Sequence, residues 1–93
     1  MTKVMMNADP MSGIFYDCLN HADDHDTCTI ISTLSNVLVQ ACFDADNEPT
    51  EYSKGHVRID MPSVDEKTIY LFDEVFKVIK SAARQHPDHI KLY

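Results

Sequence analysis

A histidine and a cysteine, His21 and Cys28, stand close together in the run Asn20-His21-Ala22-Asp23-Asp24-His25-Asp26-Thr27-Cys28. A thiol is a strong nucleophile only as the thiolate, and a nearby imidazole and the unpaired N–H groups at a helix N-terminus both stabilise that anion. The chain pattern predicts a helix that starts at Cys28 and a strand that ends just before His21. The two residues are therefore a candidate nucleophile and general base. The six residues between them, at about 3.3–3.6 Å each when extended, easily let the two side chains meet.

Two strands are predicted ahead of this pair, because apolar and polar residues alternate there. Turn-forming residues at 8–13 separate the strands and indicate a β-hairpin. The apolar positions that would share one face are Val4, Met6, Ile14, Tyr16 and Cys18. His21 lies at the exit of the second strand and out of phase with that face, so it is not predicted to be a core residue.

Two helices are predicted from apolar residues at helical spacing. The first runs from Cys28 to about Phe43, with Asp26 or Thr27 as its cap, and the second follows a Ser-x-x-Glu capping box at 63–66 and ends near Gln85. Their apolar stripes comprise Ile31, Leu34, Leu38, Ala41 and Cys42 in the first helix and Ile69, Phe72, Phe76, Ile79 and Ala83 in the second. The polar residues Ser32, Ser35 and Asn36 are predicted to lie on the wet face of the first helix.

A third strand with alternating Val57, Ile59 and Met61 precedes the second helix, and Ile90 and Leu92 form a short last strand. The resulting order is β-β-α-β-α-β, which predicts an α+β fold with two helices packed on one face of a small, mostly antiparallel sheet. Ninety-three residues suit a single domain, 1–93. His21 and Cys28 are expected to meet at one edge of the sheet.

Composition narrows the range of partners and compartments. Fifteen acidic residues against eight basic ones give a formal net charge of −7, which disfavours nucleic acid and anionic membranes. No segment has the length and apolarity of a membrane span or a signal peptide, and three cysteines without Cys-x-x-Cys spacing favour a reducing cytoplasm. A short chain buries a thin core, and apolar residues such as Ile30, Val37 and Leu71 lack an obvious partner, so a homodimer is expected.

The motif around the histidine and cysteine resembles the ribosomal-processing cysteine proteases of bacteria, also called the Prp or YsxB-like family. That family carries Gly-His-Ala at the end of a strand, where this chain has Asn20-His21-Ala22, and Cys-Ala-Ala-Val-Ser at a helix start, where it has Cys28-Thr29-Ile30-Ile31-Ser32. Chain length, the initial hairpin and the terminal segment 85–93 are also similar to the family. Asn20 replaces the glycine, a change that asparagine's access to left-handed backbone tolerates, and the loop between histidine and cysteine is shorter than the family's.

The resemblance implies a role for each matching residue. His21 would be the general base and Cys28 the nucleophile, and Asn20, Ala22 and Ser32 would support the site or bind substrate. It also implies an endopeptidase that removes the N-terminal extension of a large-subunit ribosomal protein or processes a phage capsid or scaffold protein, acting as a homodimer without a cofactor.

Two other interpretations remain open. One is a divalent-metal site, since imidazole, carboxylate and thiolate groups are all known zinc ligands, although their spacing here matches no familiar metal site. Its candidate ligands are His21, Asp23, Asp24, His25, Asp26 and Cys28. The second interpretation is a catalytically inert peptide-binding module of the same fold. A Cys28→Ser change separates them, because a protease loses its activity and an inert binder is unchanged.

Overall fold

The computed structural model of the chain describes residues 1–9, 11, 13–20, 24–61 and 65–93. Its strands are β1 (Thr2–Asn7), β2 (Ile14–Leu19), β3 (Glu51–Ser53), β4 (His56–Met61) and β5 (Ile90–Leu92), and its helices are α1 (His25–Asp44) and α2 (Glu66–Gln85). The strands form one sheet in the order β3-β4-β2-β1-β5. Neighbouring strands are antiparallel except for β1 and β5, which pair in parallel. The predicted α+β class and order of elements are confirmed.

Strand β3 is an addition to the predicted elements. It was missed because its three residues, Glu51, Tyr52 and Ser53, are all exposed and show no apolar alternation. It is an edge strand of the described sheet and pairs with β4, with Tyr52 opposite Val57. The hairpin formed by β3 and β4 becomes important for the site because it stands beside α1.

The core lies between the sheet and the helices. Val4, Tyr16 and Ile59 are fully buried on one face of the sheet, whereas residues of opposite phase such as Met5 and Leu19 remain exposed. The predicted stripes of both helices supply the other side of this core. Cys18 and Cys42 are buried, as their positions on apolar stripes predicted.

Capping differs from the prediction in both helices. In α2 the cap is Asp65, whose Oδ1 accepts the Thr68 N–H at 2.9 Å. The predicted capping box would have used Ser63, which lies outside the described residues. In α1 the cap is Asp24 instead of Asp26 or Thr27, and the helix begins at His25, earlier than predicted. Within the described ranges, neither helix is long and apolar enough to cross a membrane.

A buried hydrogen bond ties α1 to the sheet. The hydroxyls of Tyr16 and Ser35 lie 2.7 Å apart, and their residues are 0% and 5% exposed. Burial raises the pKa of the Tyr16 phenol, which keeps the group neutral. The prediction that Ser35 lies on the wet face of α1 is therefore wrong. The inward-facing Tyr16 needs a polar partner, and Ser35 supplies it.

We expect Tyr16→Phe to lower the free energy of unfolding by about 1–3 kcal/mol, because it leaves the buried Ser35 hydroxyl without its partner. The double variant with Ser35→Ala should cost less than the sum of the two single changes, since both partners are then gone. Equilibrium urea unfolding of the four proteins measures this coupling. Losses that add to within about 0.5 kcal/mol would show that the two hydroxyls do not act as a pair.

Candidate active site

The first turn of α1 is fixed by Asp24. Its backbone is extended (φ −96°, ψ 132°), and its Oδ2 accepts from both the N–H and the hydroxyl of Thr27, at 3.0 and 2.9 Å. These two hydrogen bonds lower the pKa of the Asp24 carboxyl, with smaller contributions from His89 and His86. Thr27 is fully buried beneath the cap, so Asp24 holds the start of the helix to the body of the domain.

Cys28 follows directly in this turn. Its N–H donates to the Asp24 carbonyl at 2.9 Å, which is an i to i−4 helical bond. The Cys28 amide is therefore already engaged, as is the amide of Thr27, and neither N–H is free to bind an anion. The side chain is half-buried, and its Sγ lies 4.0 Å from the Ser32 Oγ one turn along the helix. The family resemblance implies Ser32 as a supporting residue of the site, and a role for it there stays a prediction.

Cys28 borders a cleft of about 210 Å³ between α1 and the β3–β4 hairpin. Four elements form it, and β1 contributes Thr2. Helix α1 contributes Cys28, Ser32 and Asn36, the hairpin contributes Tyr52 to Val57, and the exit of β2 contributes Cys18 and Asn20. A half-buried thiol at the edge of an open cleft is accessible to a reagent or to an extended polypeptide.

Asn20 shapes one end of this cleft. Its φ of 69° is left-handed, the conformation that sequence analysis expected asparagine to tolerate in place of glycine. Its N–H donates to the Gly55 carbonyl at 2.8 Å, and its own carbonyl accepts the Thr2 hydroxyl at 3.3 Å. Asn20 therefore joins β1, the exit of β2 and the β3–β4 turn at a single point beside the cleft.

The three cysteines differ in exposure. Cys18 is 7% exposed and Cys42 is 0% exposed, and burial raises the pKa of both thiols. Neither is suited to nucleophilic attack, because the thiolate is the reactive form and burial disfavours it. Cys18 also lines the cleft, but Cys28 is the more exposed of the two thiols there.

We expect brief treatment of the folded protein with iodoacetamide to label Cys28 first. Peptide mapping by mass spectrometry identifies the modified residue, and labelling in denaturant provides the control in which all three cysteines react. Preferential labelling of Cys18 or Cys42 in the folded protein would contradict the assignment of Cys28 as the accessible thiol.

A second histidine borders the cleft but is directed elsewhere. The His56 Nε2 lies 2.9 Å from an Asp17 oxygen, and Arg58 contacts the other Asp17 oxygen at 3.1 Å. Both Asp17 and Arg58 alternate with core-facing neighbours and so lie on the sheet face away from the helices. Arg58 also binds Asp60 at 2.9 Å and lies over the Phe15 ring. The pairing of His56 with Asp17 was missed because it depends on which residues of β2 and β4 lie opposite each other. The pair links these two strands on the sheet face away from the helices.

Two further histidines lie near the α1 cap. His86 and His89 are both half-buried, and the His89 carbonyl accepts the Thr2 N–H at 2.9 Å. The His89 Nδ1 is buried without a hydrogen-bond partner among the described residues. The sequence pattern did not predict that the segment before β5, which carries His86 and His89, lies beside the start of α1.

The predicted residues His21 and Ala22 lie outside the described part of the chain, as does Asp23 of the alternative metal site. The structure brings together Asn20, Cys28 and Ser32 but leaves the pairing of His21 with Cys28 a prediction. Among the described residues, no group of three or more His, Cys, Asp or Glu side chains is arranged to hold a metal ion.

Neither a family model nor a curated protein matches this sequence. Solved structures match its fold. Two are of the essential ribosomal processing protease Prp from S. aureus. One holds a covalently linked product peptide and has 16% identity, a TM-score of 0.79 and coverage of 99% of this chain and 97% of that chain. The other holds a substrate peptide and has 18% identity, a TM-score of 0.75 and coverage of 100% and 98%.

A third similar structure is SMU.848 from Streptococcus mutans, with 23% identity, a TM-score of 0.70 and coverage of 98% of this chain and 89% of that chain. At these identities the likeness concerns the fold, and it extends over nearly the full length of both partners in each comparison. The resemblance that the histidine and cysteine motifs indicated is thus matched in three dimensions: this chain has the fold of the ribosomal processing protease Prp.

Proposed function

We propose that the protein is a cysteine endopeptidase in which Cys28 is the nucleophile and His21 the general base. The observation that carries this proposal is the position of the Cys28 thiol, half-buried in the first turn of α1 and open to a cleft. Its fold is that of a protease whose solved structures hold a substrate or a product peptide. The short loop between the two residues lets His21 reach Cys28.

The proposed reaction has two stages. His21 takes the thiol proton, and the Cys28 Sγ attacks the scissile carbonyl carbon to form a tetrahedral anion. The N–H groups of His25 and Asp26, which precede the engaged amides of Thr27 and Cys28 in the first turn of α1, stabilise the negative oxygen. The C–N bond then breaks, His21 gives its proton to the leaving amine, and a thioester remains. Water, deprotonated by His21, attacks the thioester and releases the carboxylate product and the thiol.

The proposed substrate is an extended peptide segment, because the lining of the cleft runs along α1 from Cys28 through Ser32 to Asn36. By resemblance to the Prp family, the N-terminal extension of a bacterial large-subunit ribosomal protein is the first candidate, and a phage capsid or scaffold segment is the second. The proposed setting is the cytoplasm, where the thiol stays reduced.

Incubation of the protein with peptides from these two sources tests the proposal. Under reducing conditions with a chelator present, we expect one peptide to be cut at a single bond, with both fragments identified by mass. If neither peptide is cut and zinc binds tightly through residues 21–28, the metal-site interpretation replaces the protease. If a peptide binds but is never cut, the protein is an inert binder.

We also propose a homodimer that uses the exposed face of α1. Ile30 and Val37 are 37% and 39% exposed and lie two helical turns apart on the same side. Leu71, which was predicted to share this role, instead packs against the core.

Light scattering at micromolar concentration should give twice the chain mass of 10.6 kDa. The double change Ile30→Glu and Val37→Glu should yield a monomer because it places charges in an apolar contact. Val78→Glu, at a residue of α2 that is 49% exposed, is the matched control and should remain a dimer. A monomeric mass for the unaltered protein would contradict the proposal.

A further inference from the structure

The cleft beside Cys28 has a second wall whose role the proposed reaction does not explain. Across from α1 stands the β3–β4 hairpin, and the two walls are joined where the Tyr52 hydroxyl donates to the Asn36 Oδ1 at 3.3 Å. Cys28, Ser32 and Asn36 follow one another at intervals of four along α1. At a rise of about 1.5 Å per residue, this bridge lies about 12 Å from the nucleophile.

That distance limits what the groove can hold. An extended peptide advances about 3.3 Å per residue, so three to four residues fit between the thiol and the bridge. Tyr52 is 57% exposed and belongs to the short edge strand β3. Because its hydroxyl reaches Asn36, the Tyr52 side chain spans the gap between the hairpin and α1 at this point.

The charge of the groove differs from that of the whole protein. Although the chain carries a net charge of −7, no carboxylate is found among the described residues that line the cleft. Lys54 stands exposed at the hairpin turn and contributes a positive charge. The other basic side chain, His56, is engaged by Asp17. The floor is formed by apolar parts of Cys18, Ile31 and Val57.

We infer that the β3–β4 hairpin determines substrate specificity: the groove accepts an extended, uncharged or acidic segment of three to four residues on one side of the scissile bond, Lys54 rejects basic side chains, and Tyr52 ends the groove. The inference rests on the proposed peptidase function and specifies the class of peptide. Selection of this kind uses repulsion as well as contact, because Lys54, which has no ion pair among the described residues, repels a basic side chain.

A positional-scanning library of octapeptides, with products identified by mass spectrometry, tests the role of Lys54. We expect Lys54→Glu to change the preference between Glu and Lys by about two- to fivefold, toward Lys, at one position within four residues of the cut. Lys80→Glu makes the same charge change on an exposed residue of α2, which contributes nothing to the described lining. Lys80→Glu should leave the profile unchanged. Identical profiles for Lys54→Glu and Lys80→Glu would overturn the inference.

The same library tests the end of the groove. At the outermost selected position, the unaltered protein should prefer small residues, and Tyr52→Ala should accept large aromatic ones. Tyr52→Phe keeps the ring and loses only the bond to Asn36, so it should keep most of the original preference. An unchanged profile for Tyr52→Ala would show that Tyr52 does not limit the groove.

Failure of the proposed function is distinguished by a binding arm. Cys28→Ser, which lacks the thiol, is immobilised with and without Lys54→Glu, and the captured library peptides are identified by mass. A Lys54-dependent change in captured peptides, with no cleavage by the unaltered protein, would uphold the inference and reject the peptidase. Cleavage by the unaltered protein, with no effect of Lys54→Glu on either the cleaved or the captured peptides, would uphold the peptidase and reject the inference.

Discussion

Replacement of Cys28 by alanine is expected to abolish peptide cleavage, with a loss of at least about a thousandfold in kcat/KM, because no thioester can form without the Sγ. The fold should be retained, because Cys28 is half-buried at the edge of the cleft and its hydrogen bond to the Asp24 carbonyl is made by the backbone N–H, not by the side chain. Circular dichroism checks this point. Cleavage by the variant at more than a tenth of the original rate would exclude Cys28 as the nucleophile.

The matched control is Thr29→Ala. Thr29 is exposed in the same turn of α1, and its hydroxyl donates to the His25 carbonyl at 3.0 Å. The change removes the hydroxyl and methyl groups of a residue next to the nucleophile, and Thr29 is not among the described residues that line the cleft. Most of the activity should remain, so that a loss in Cys28→Ala is attributable to the thiol and not to a disturbed helix start.

The second large effect is expected from His21→Ala. Loss of a general base lowers the rate by about a hundredfold to ten-thousandfold. The remaining activity comes from whatever thiolate the helix N-terminus sustains. Because the alanine variant leaves room for a small base, added imidazole should restore part of the rate. Cys28→Ala should show no such rescue.

His25→Ala is the control for this second experiment. His25 is the other histidine of the motif, and its side chain is exposed at the first position of α1. Most of the activity should remain in this variant. If His25→Ala, and not His21→Ala, lost activity that imidazole restored, the general base would be His25 and the assignment made from the motif would be wrong.

Much of the fold followed from periodicity. Alternation of apolar residues predicted four of the five strands, because Val4, Tyr16 and Ile59 must face the helices. The stripe around Phe72 and Phe76 predicted α2 in the same way. Strand β3 was not predicted because all of its residues are exposed, and an edge strand without a buried face shows no alternation of apolar and polar residues.

The details of the site depended on interactions that a pattern does not contain. Several aspartates and a threonine stand before Cys28, and each is a good helix cap. Asp24 takes that role because its carboxylate reaches both donors of the buried Thr27. The burial of Ser35 could have been predicted from the sequence. A serine on an apolar stripe needs a hydrogen-bond partner for its hydroxyl, and so does an inward-facing tyrosine such as Tyr16.

The cleft itself was not predictable from the motif. It exists because the β3–β4 hairpin stands beside α1, an arrangement supported by the bonds from Asn20 to Gly55 and from Tyr52 to Asn36. Both hydrogen bonds join segments that are distant in sequence, so neither pair of residues could be recognised from the spacing of residues along the chain. The motif identified candidate chemistry, and the tertiary structure supplied the place where a peptide can bind.

The most direct test of Cys28 as the nucleophile is active-site titration with a chloromethyl ketone built on the acyl half of the cleaved peptide. This reagent forms a stable thioether with a thiol that attacks next to a bound peptide. We predict that peptidase activity falls in proportion to the adduct, that it reaches zero at one adduct per chain, and that the adduct maps to Cys28. An adduct on Cys18 or Cys42 that accompanies the loss of activity, or full activity with Cys28 modified, would contradict the account.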